Sequence, residues 1–153
     1  MKSGLIVNST HFYLYCDGAS RGNPGPAAGA AVLYQNIKDA TPIGQFGRSI
    51  GIATNNVAEY HGLIFGLEGL LDYLSTENVV AAAVTVDLRM DSQLIIRQLT
   101  GEYKVKHEAM QPLFKQAKSL IAQFKTVNPT HIRRELNKAA DKLANQFLDN
   151  SVS

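Results

Sequence analysis

Residues 11–36 read HFYLYCDGASRGNPGPAAGAAVLYQN, and this stretch decides the fold. His11 to Asp17 alternates, with Phe12, Leu14 and Cys16 on one face, the period-two pattern of a half-buried strand. Arg21-Gly22-Asn23-Pro24-Gly25-Pro26 is dense turn chemistry. Residues 27–36 are small and apolar and predict a second strand. The first strand therefore ends on a carboxylate, Asp17, followed by Gly18-Ala19-Ser20.

Working outward, residues 42–50 supply a weaker third strand, so the first three form an antiparallel meander. Thr54-Asn55-Asn56 offers helix-capping residues, and Glu59 lies three beyond Asn56, a capping-box spacing in a first helical turn. Tyr60, Leu63, Ile64, Leu67, Leu70, Leu71 and Leu74 follow at helical spacing. Gly62, Gly66 and Gly69 each cost about 1 kcal/mol in a helix interior. They share one side of the helix, which predicts close packing against a neighbour. Residues 79–90 read as a fourth strand, Asp91-Ser92 to Gln98 as a short helix, and 101–106 as a loop. Residues 107–125 predict a second long amphipathic helix and 130–134 a last strand. Asn137 is placed to cap a final helix through Leu148, and the tail from Asp149 reads as frayed. The order βββαβααβα predicts an α/β fold with three antiparallel strands followed by parallel additions.

The chain has 153 residues, enough for one domain with a real core. Its 45% apolar and 18% charged content argues against disorder. The single cysteine, Cys16, excludes an intrachain disulfide and a multi-cysteine zinc site. Cys16 alternates away from Asp17, which makes it a buried small hydrophobe and not a nucleophile. The run Leu5-Ile6-Val7 is too short for a secretory core, and no later stretch is long enough to span a membrane. A cytoplasmic, monomeric protein is expected. Net charge is +2, but residues 1–96 hold 5 Lys/Arg against 8 Asp/Glu, and residues 97–153 hold 10 against 5. Such a split can set an anion-binding surface beside a carboxylate cluster, or be chance scatter.

Four carboxylates stand at telling places. Asp17 and Asp91 end strands, and Glu59 and Asp141 begin helices. Ligands in open α/β sheets bind at the carboxyl ends of strands, so these four can share one edge. Clustered like charges repel and raise one another's pKa, so a structure holding them needs cations. Hard carboxylate oxygens suit Mg²⁺ or Mn²⁺, and a pair of such ions supports in-line phosphoryl displacement. Singly, each residue has an ordinary reading as turn former or helix-dipole partner. Asp87 shares the strand parity of Asp91 but lies about 13 Å back along the strand. It is expected to pair at the surface with Arg89.

Four segments together resemble type 1 ribonuclease H. They are Cys16-Asp17-Gly18-Ala19-Ser20-Arg21-Gly22-Asn23-Pro24-Gly25-Pro26-Ala27, Thr54-Asn55-Asn56-Val57-Ala58-Glu59-Tyr60, Met90-Asp91-Ser92-Gln93-Leu94, and residues 131–144 with Asn137 and Asp141. The resemblance covers residues 11–148 and implies a single ribonuclease H domain over 1–153. The implied fold is a five-stranded mixed sheet, three antiparallel strands then two parallel, flanked by helices. The implied activity is endonucleolytic hydrolysis of the RNA strand of RNA–DNA hybrids, leaving 5′-phosphate and 3′-hydroxyl ends. Asp17, Glu59, Asp91 and Asp141 would bind two divalent ions, Mg²⁺ or Mn²⁺, with Asp17 bridging both. Glu59 would also accept from the RNA 2′-hydroxyl. Gly18, Ala19 and Ser20 would approach the RNA backbone, where the lack of a large side chain matters. Asn23, Asn55, Asn56 and Gln93 would read sugars and base edges. Thr54 would bind a DNA phosphate. For Asn55 and Asn56 the plain alternative is helix capping.

The chain departs from the commoner pattern in two ways. Many members carry a histidine in a loop before the last aspartate; here the segment is compact and Arg134 stands near that place. Arginine stays protonated, so it is no base, but it can hold a phosphate or help expel product. This is similar to the compact archaeal and actinobacterial branch. His131 sits in an alternating strand pattern and reads as structural. The basic protrusion of other members is missing, and there is no Trp. Tyr103, Lys104 and Lys106 could replace it in part, or form a solvated loop; weak, salt-sensitive hybrid binding is then expected. Two alternatives stay open: a non-catalytic nucleic-acid-binding module, and a nuclease that also cuts double-stranded RNA. No protein partner is indicated.

Overall fold

A computed structural model describes residues 10–35 and 41–151. Strand β1 (His11–Ser20) pairs antiparallel with β2 (Gly25–Tyr34), and β2 with β3 (Gly44–Ala53). On the other side, β4 (Thr85–Met90) joins β1 in parallel and β5 (Thr126–His131) joins β4 in parallel. The sheet order is β3-β2-β1-β4-β5, the mixed sheet expected from the sequence. Helices α1 (Asn55–Thr76), α2 (Gln93–Leu99), α3 (Gln111–Ile121) and α4 (Lys138–Ser151) accompany it.

The alternation in β1 works as read. Phe12, Leu14 and Cys16 are fully buried in one core with Leu63, Leu67 and Leu70 of α1 and Val86, Leu88 and Met90 of β4. Burying each large apolar side chain contributes about 1.5–3 kcal/mol. Helix α4 packs over β1, β2 and β3, burying Ala140, Ala144 and Leu148. Strand β2 is thus pressed between helices, and its residues 27–31 hold nothing larger than alanine. The glycine stripe of α1 does what its spacing predicts. A Cβ on Gly62 would lie 2.1 Å from the Asp17 carbonyl oxygen, on Gly66 2.7 Å from Ala31 Cβ, and on Gly69 2.4 Å from the Phe46 ring. The helix therefore lies directly on β1, β2 and β3.

Several boundaries differ from the sequence reading. Strand β4 begins at Thr85, because Ala81–Ala83 form a 3-10 turn. The helix expected over 107–125 spans only Gln111–Ile121, since Pro112 fits just in a first turn, where its missing N–H costs nothing. The last strand starts at Thr126, not 130; Pro129 lies inside it, which an edge strand such as β5 tolerates. The tail does not fray at Asp149: α4 continues to Ser151, and Asp149 pairs with Arg21 at 2.6 Å. Residue 36 of the expected second strand and the Leu5-Ile6-Val7 run lie outside the described residues. Among the described residues, no helix is long and apolar enough to cross a membrane.

Candidate active site

The parallel pairing of β1 and β4 sets Cys16 opposite Met90, so Asp17 and Asp91 emerge together at one sheet edge. Glu59 reaches them because α1 lies on the backbone of β1. A Cβ on Gly18 would meet the Ala58 carbonyl carbon at 2.2 Å and the Glu59 nitrogen at 2.3 Å. Carboxylate oxygens of Asp17, Glu59 and Asp91 all lie within 4.8 Å of one another. Asp141, in the first turn of α4, lines the same cleft of about 230 Å³ but stands outside that cluster. Gly18, Ala19, Ser20, Asn55 and Arg134 complete the lining.

The electrostatics are those of a site built for a cation. Burial, then the charge of Asp91, pushes Asp17 up to about 8, with Glu59 and Asp141 adding to the rise and the Gly18 N–H opposing it. Burial and Asp91 push Glu59 up to about 7, opposed by a hydrogen bond from Ser92 and by Arg134. Asp17 is only 5% exposed. Arg134, the one cation lining the cleft among the described residues, holds its Nε 3.7 Å from Asp91 Oδ2 on a side chain that is 89% exposed. Three converging carboxylates with so little counter-charge form a hard oxygen donor set that fits Mg²⁺ or Mn²⁺.

The structure revises several local readings. Gly18 lines the cleft, and α1 also leaves no room for a side chain there. Thr54, not Asn56, caps α1: its Oγ1 accepts from the Val57 N–H at 3.3 Å. That shifts Glu59 out of the first turn, so the capping-box spacing is unused and its carboxylate is available to the cleft. Asn23 Oδ1 accepts from the Asn55 N–H at 3.1 Å, which ties the turn after β1 to the start of α1. Asn56 is half-buried and Gln93 is exposed at the first position of α2. His131 closes β5 opposite Met90, yet it is exposed and is not among the residues lining the cleft. Asp87 does not pair with Arg89. It takes His11 Nε2 at 2.7 Å, while Arg89 donates to Tyr15 Oη at 2.7 Å. Cys16 is fully buried, and burial pushes its thiol up, as expected of an inert side chain. Tyr103 receives a hydrogen bond from Arg97 at 2.7 Å and, with Lys104, lines a groove between the end of α2 and α3.

Two polar residues near the site were read from the sequence only as helix starts, not as partners of the carboxylates. Ser92 is 8% exposed, caps α2 by accepting from the Ile95 N–H, and hydrogen-bonds Glu59. Asn137 is 1% exposed and donates to Asp91. Their signal was adjacency: Ser92 follows Asp91, and Asn137 lies one helical turn before Asp141.

Residues 15–147 match the family profile described as reverse transcriptase-like. The N-terminal ribonuclease H domain of a Mycobacterium tuberculosis protein has a solved structure that superposes with a TM-score of 0.82 at 38% identity, covering 94% of this chain and 97% of that one. The RNase H1 of the archaeon Halobacterium salinarum superposes at 0.78 and 38% identity, covering 92% and 98%. This chain belongs to the type 1 ribonuclease H family. LC11-RNase H1, solved in complex with an RNA/DNA hybrid, matches at 0.82 with 36% identity over 93% of this chain and 99% of that one. In sequence, the mycobacterial relative named "Bifunctional protein" is 42% identical over 87% of this chain, and the haloarchaeal "Ribonuclease HI" 40% over 91%. The chain spans 34% of the length of the first and 65% of the second. These archaeal and actinobacterial ribonucleases H are the branch that the compact fourth segment resembles.

Proposed function

We propose that this protein is a divalent-metal-dependent ribonuclease H that cuts the RNA strand of RNA–DNA hybrids, acting as one domain in the cytoplasm. The observation that carries the reading is the convergence of Asp17, Glu59 and Asp91 within 4.8 Å at the cleft, in a chain of this family. A binding module would gain nothing from buried carboxylates facing phosphates, since they repel the ligand. The hybrid-bound relative supports the choice of substrate.

Asp17, Glu59 and Asp91, joined by Asp141, would hold two ions, Mg²⁺ or Mn²⁺. Bound there, such ions supply a nucleophilic water and charge stabilisation at the leaving oxygen, giving 5′-phosphate and 3′-hydroxyl ends. The chain's own groups do the rest. Asp17, the most deeply buried of the four, would be the ligand held most firmly in place. Glu59 also faces the 2′-hydroxyl, the group that marks RNA. Gly18, Ala19 and Ser20 present backbone at the cleft wall, and Asn55 stands beside them. Asn23 contributes by holding the start of α1, with Asn56 and Gln93 toward the sugars and base edges. Thr54 keeps its hydroxyl proton for a phosphate oxygen. Arg134, exposed at the cleft and always charged, steers the scissile phosphate or the departing product.

The test uses labelled RNA–DNA, RNA–RNA and DNA–DNA duplexes, each with Mg²⁺, Mn²⁺ or chelator, beside an Asp91→Asn variant. Metal-dependent cleavage of RNA in the hybrid, absent in the variant, is expected. Hybrid binding without cleavage would make this a binding module, and equal cleavage of RNA–RNA would overturn the substrate assignment.

A further inference from the structure

The side chain of Asn137 is almost wholly buried and does not cap the helix it precedes. Its Nδ2 lies 2.9 Å from the Cys16 carbonyl oxygen and 2.9 Å from Asp91 Oδ1. Both neighbours are acceptors, so the amino end must face them, and both of its protons are used. Its Oδ1, the atom that would cap α4, is buried with no hydrogen-bond partner among the described residues. The backbone of the same residue is engaged as well. Its N–H donates to the Arg134 carbonyl at 2.9 Å, and its carbonyl accepts from the Asp141 N–H at 3.1 Å.

One residue thus touches the chain at or beside three of the four carboxylates. Cys16 immediately precedes Asp17, Asp91 is bonded directly, and Asp141 hangs from the Asn137 carbonyl. Leaving a buried amide oxygen unpaired costs about 1–3 kcal/mol. A side chain kept for helix capping or packing alone would not hold it in that state.

We infer that Asn137 is the positioning residue of the site: it fixes the spacing of Asp17, Asp91 and Asp141 so that they meet a divalent ion without rearranging. This rests on the reading of the cleft as a metal site. Partners that orient metal ligands typically change metal affinity or activity by about 10–100-fold when removed. Asn137→Leu keeps most of the volume and removes both donors; Asn137→Ala removes the volume too.

The experiment measures Mn²⁺ affinity by calorimetry without substrate, then kcat and KM on a hybrid, for the native chain and both variants. A Leu148→Ala variant serves as control, because it loosens the buried face of α4 far from the cleft. Both Asn137 variants are expected to bind Mn²⁺ about tenfold or more weakly and to lose kcat at unchanged KM, while Leu148→Ala keeps native affinity. Native Mn²⁺ binding with Asn137 variants within twofold of it would overturn the inference and leave the metal reading standing. The same would follow if Leu148→Ala lost affinity equally, since the effect would then be general loosening. A native chain that binds no Mn²⁺ would remove the metal reading and the inference with it. A measurement on the native chain does not depend on how the variants fold. The Asn137 side-chain amide protons should exchange slowly with solvent and shift in the NMR spectrum on Mg²⁺ titration; fast exchange and no shift would overturn the assignment.

Discussion

Replacing Asp17 by asparagine should stabilise the metal-free protein while abolishing its chemistry. Burial and three neighbouring carboxylates push Asp17 up to about 8, against an ordinary value of 3.8. Between those limits the folded state holds a proton that the unfolded state has released. Unfolding then releases a proton, so stability is complete below pH 4 and falls as pH rises toward 8. At 1.36 kcal/mol per pH unit, the ionised group costs roughly 5 kcal/mol at pH 8. Glu59, pushed up to about 7, adds in the same direction. For a chain of this size, 1 kcal/mol moves Tm by about 2–4 °C. Asp17→Asn is therefore expected to raise Tm by about 10 °C or more at pH 8 in chelator, and by much less at pH 4. Added Mg²⁺ should raise the Tm of the native protein at pH 8 and leave that of the variant unmoved. Calorimetric melts from pH 4 to 8, with and without metal, check this. A native Tm that is flat or rises over that range in chelator, or a variant no more stable than the parent at pH 8, would refute the reasoning.

Gly62→Ala places a methyl 2.1 Å from the Asp17 carbonyl oxygen, backbone that cannot yield. A loss of about 3 kcal/mol in urea unfolding is expected, at the upper end for overpacking, together with weakened Mn²⁺ binding as Glu59 is displaced. Arg134→Ala leaves Tm unchanged, because the side chain is exposed, but lowers kcat several-fold. Removing its charge also moves Glu59 further up, so the acid limb of the kcat profile shifts to higher pH. Tyr60→Phe strands the buried Gln98 Oε1, which now accepts from Tyr60 Oη at 2.6 Å. It is expected to cost about 1–3 kcal/mol in thermal unfolding with cleavage retained.

The fold was legible wherever one periodicity dominated. The alternation of residues 11–17 and the leucine spacing of α1 carried their elements, and the glycine stripe foretold the helix–sheet contact. Ends set by competition were not legible. Thr54 and Asn56 are both good caps, and only the packing of α1 decides between them. Pro129 argues against a strand unless β5 is known to be an edge. The four carboxylates were singled out as ending strands or starting helices; Asp17, Glu59 and Asp91 do converge, although Asp17 lies inside β1 and Glu59 beyond the first turn of α1. Asn137 was misread because its sequence position suits a cap, whereas the pull of two buried acceptors, Cys16 O and Asp91, is a tertiary fact. Asp87 went to His11 for the same reason: the parallel pairing of β1 with β4 sets His11 opposite Thr85, so its ring reaches Asp87 diagonally, two residues on, a closeness that linear spacing hides.

The backbone contacts at Gly18, against Ala58 and Glu59, and at Gly62, against Asp17, have a thermal consequence. Side-chain layers soften on warming because rotamers begin to exchange. Here backbone meets backbone, and there is nothing at that seam to exchange. The gap between Asp17 and Glu59 should then behave like a dowelled joint, holding its dimension until the whole sheet melts. Cleavage rates should climb smoothly with temperature and stop abruptly at unfolding, with no rounded shoulder beforehand.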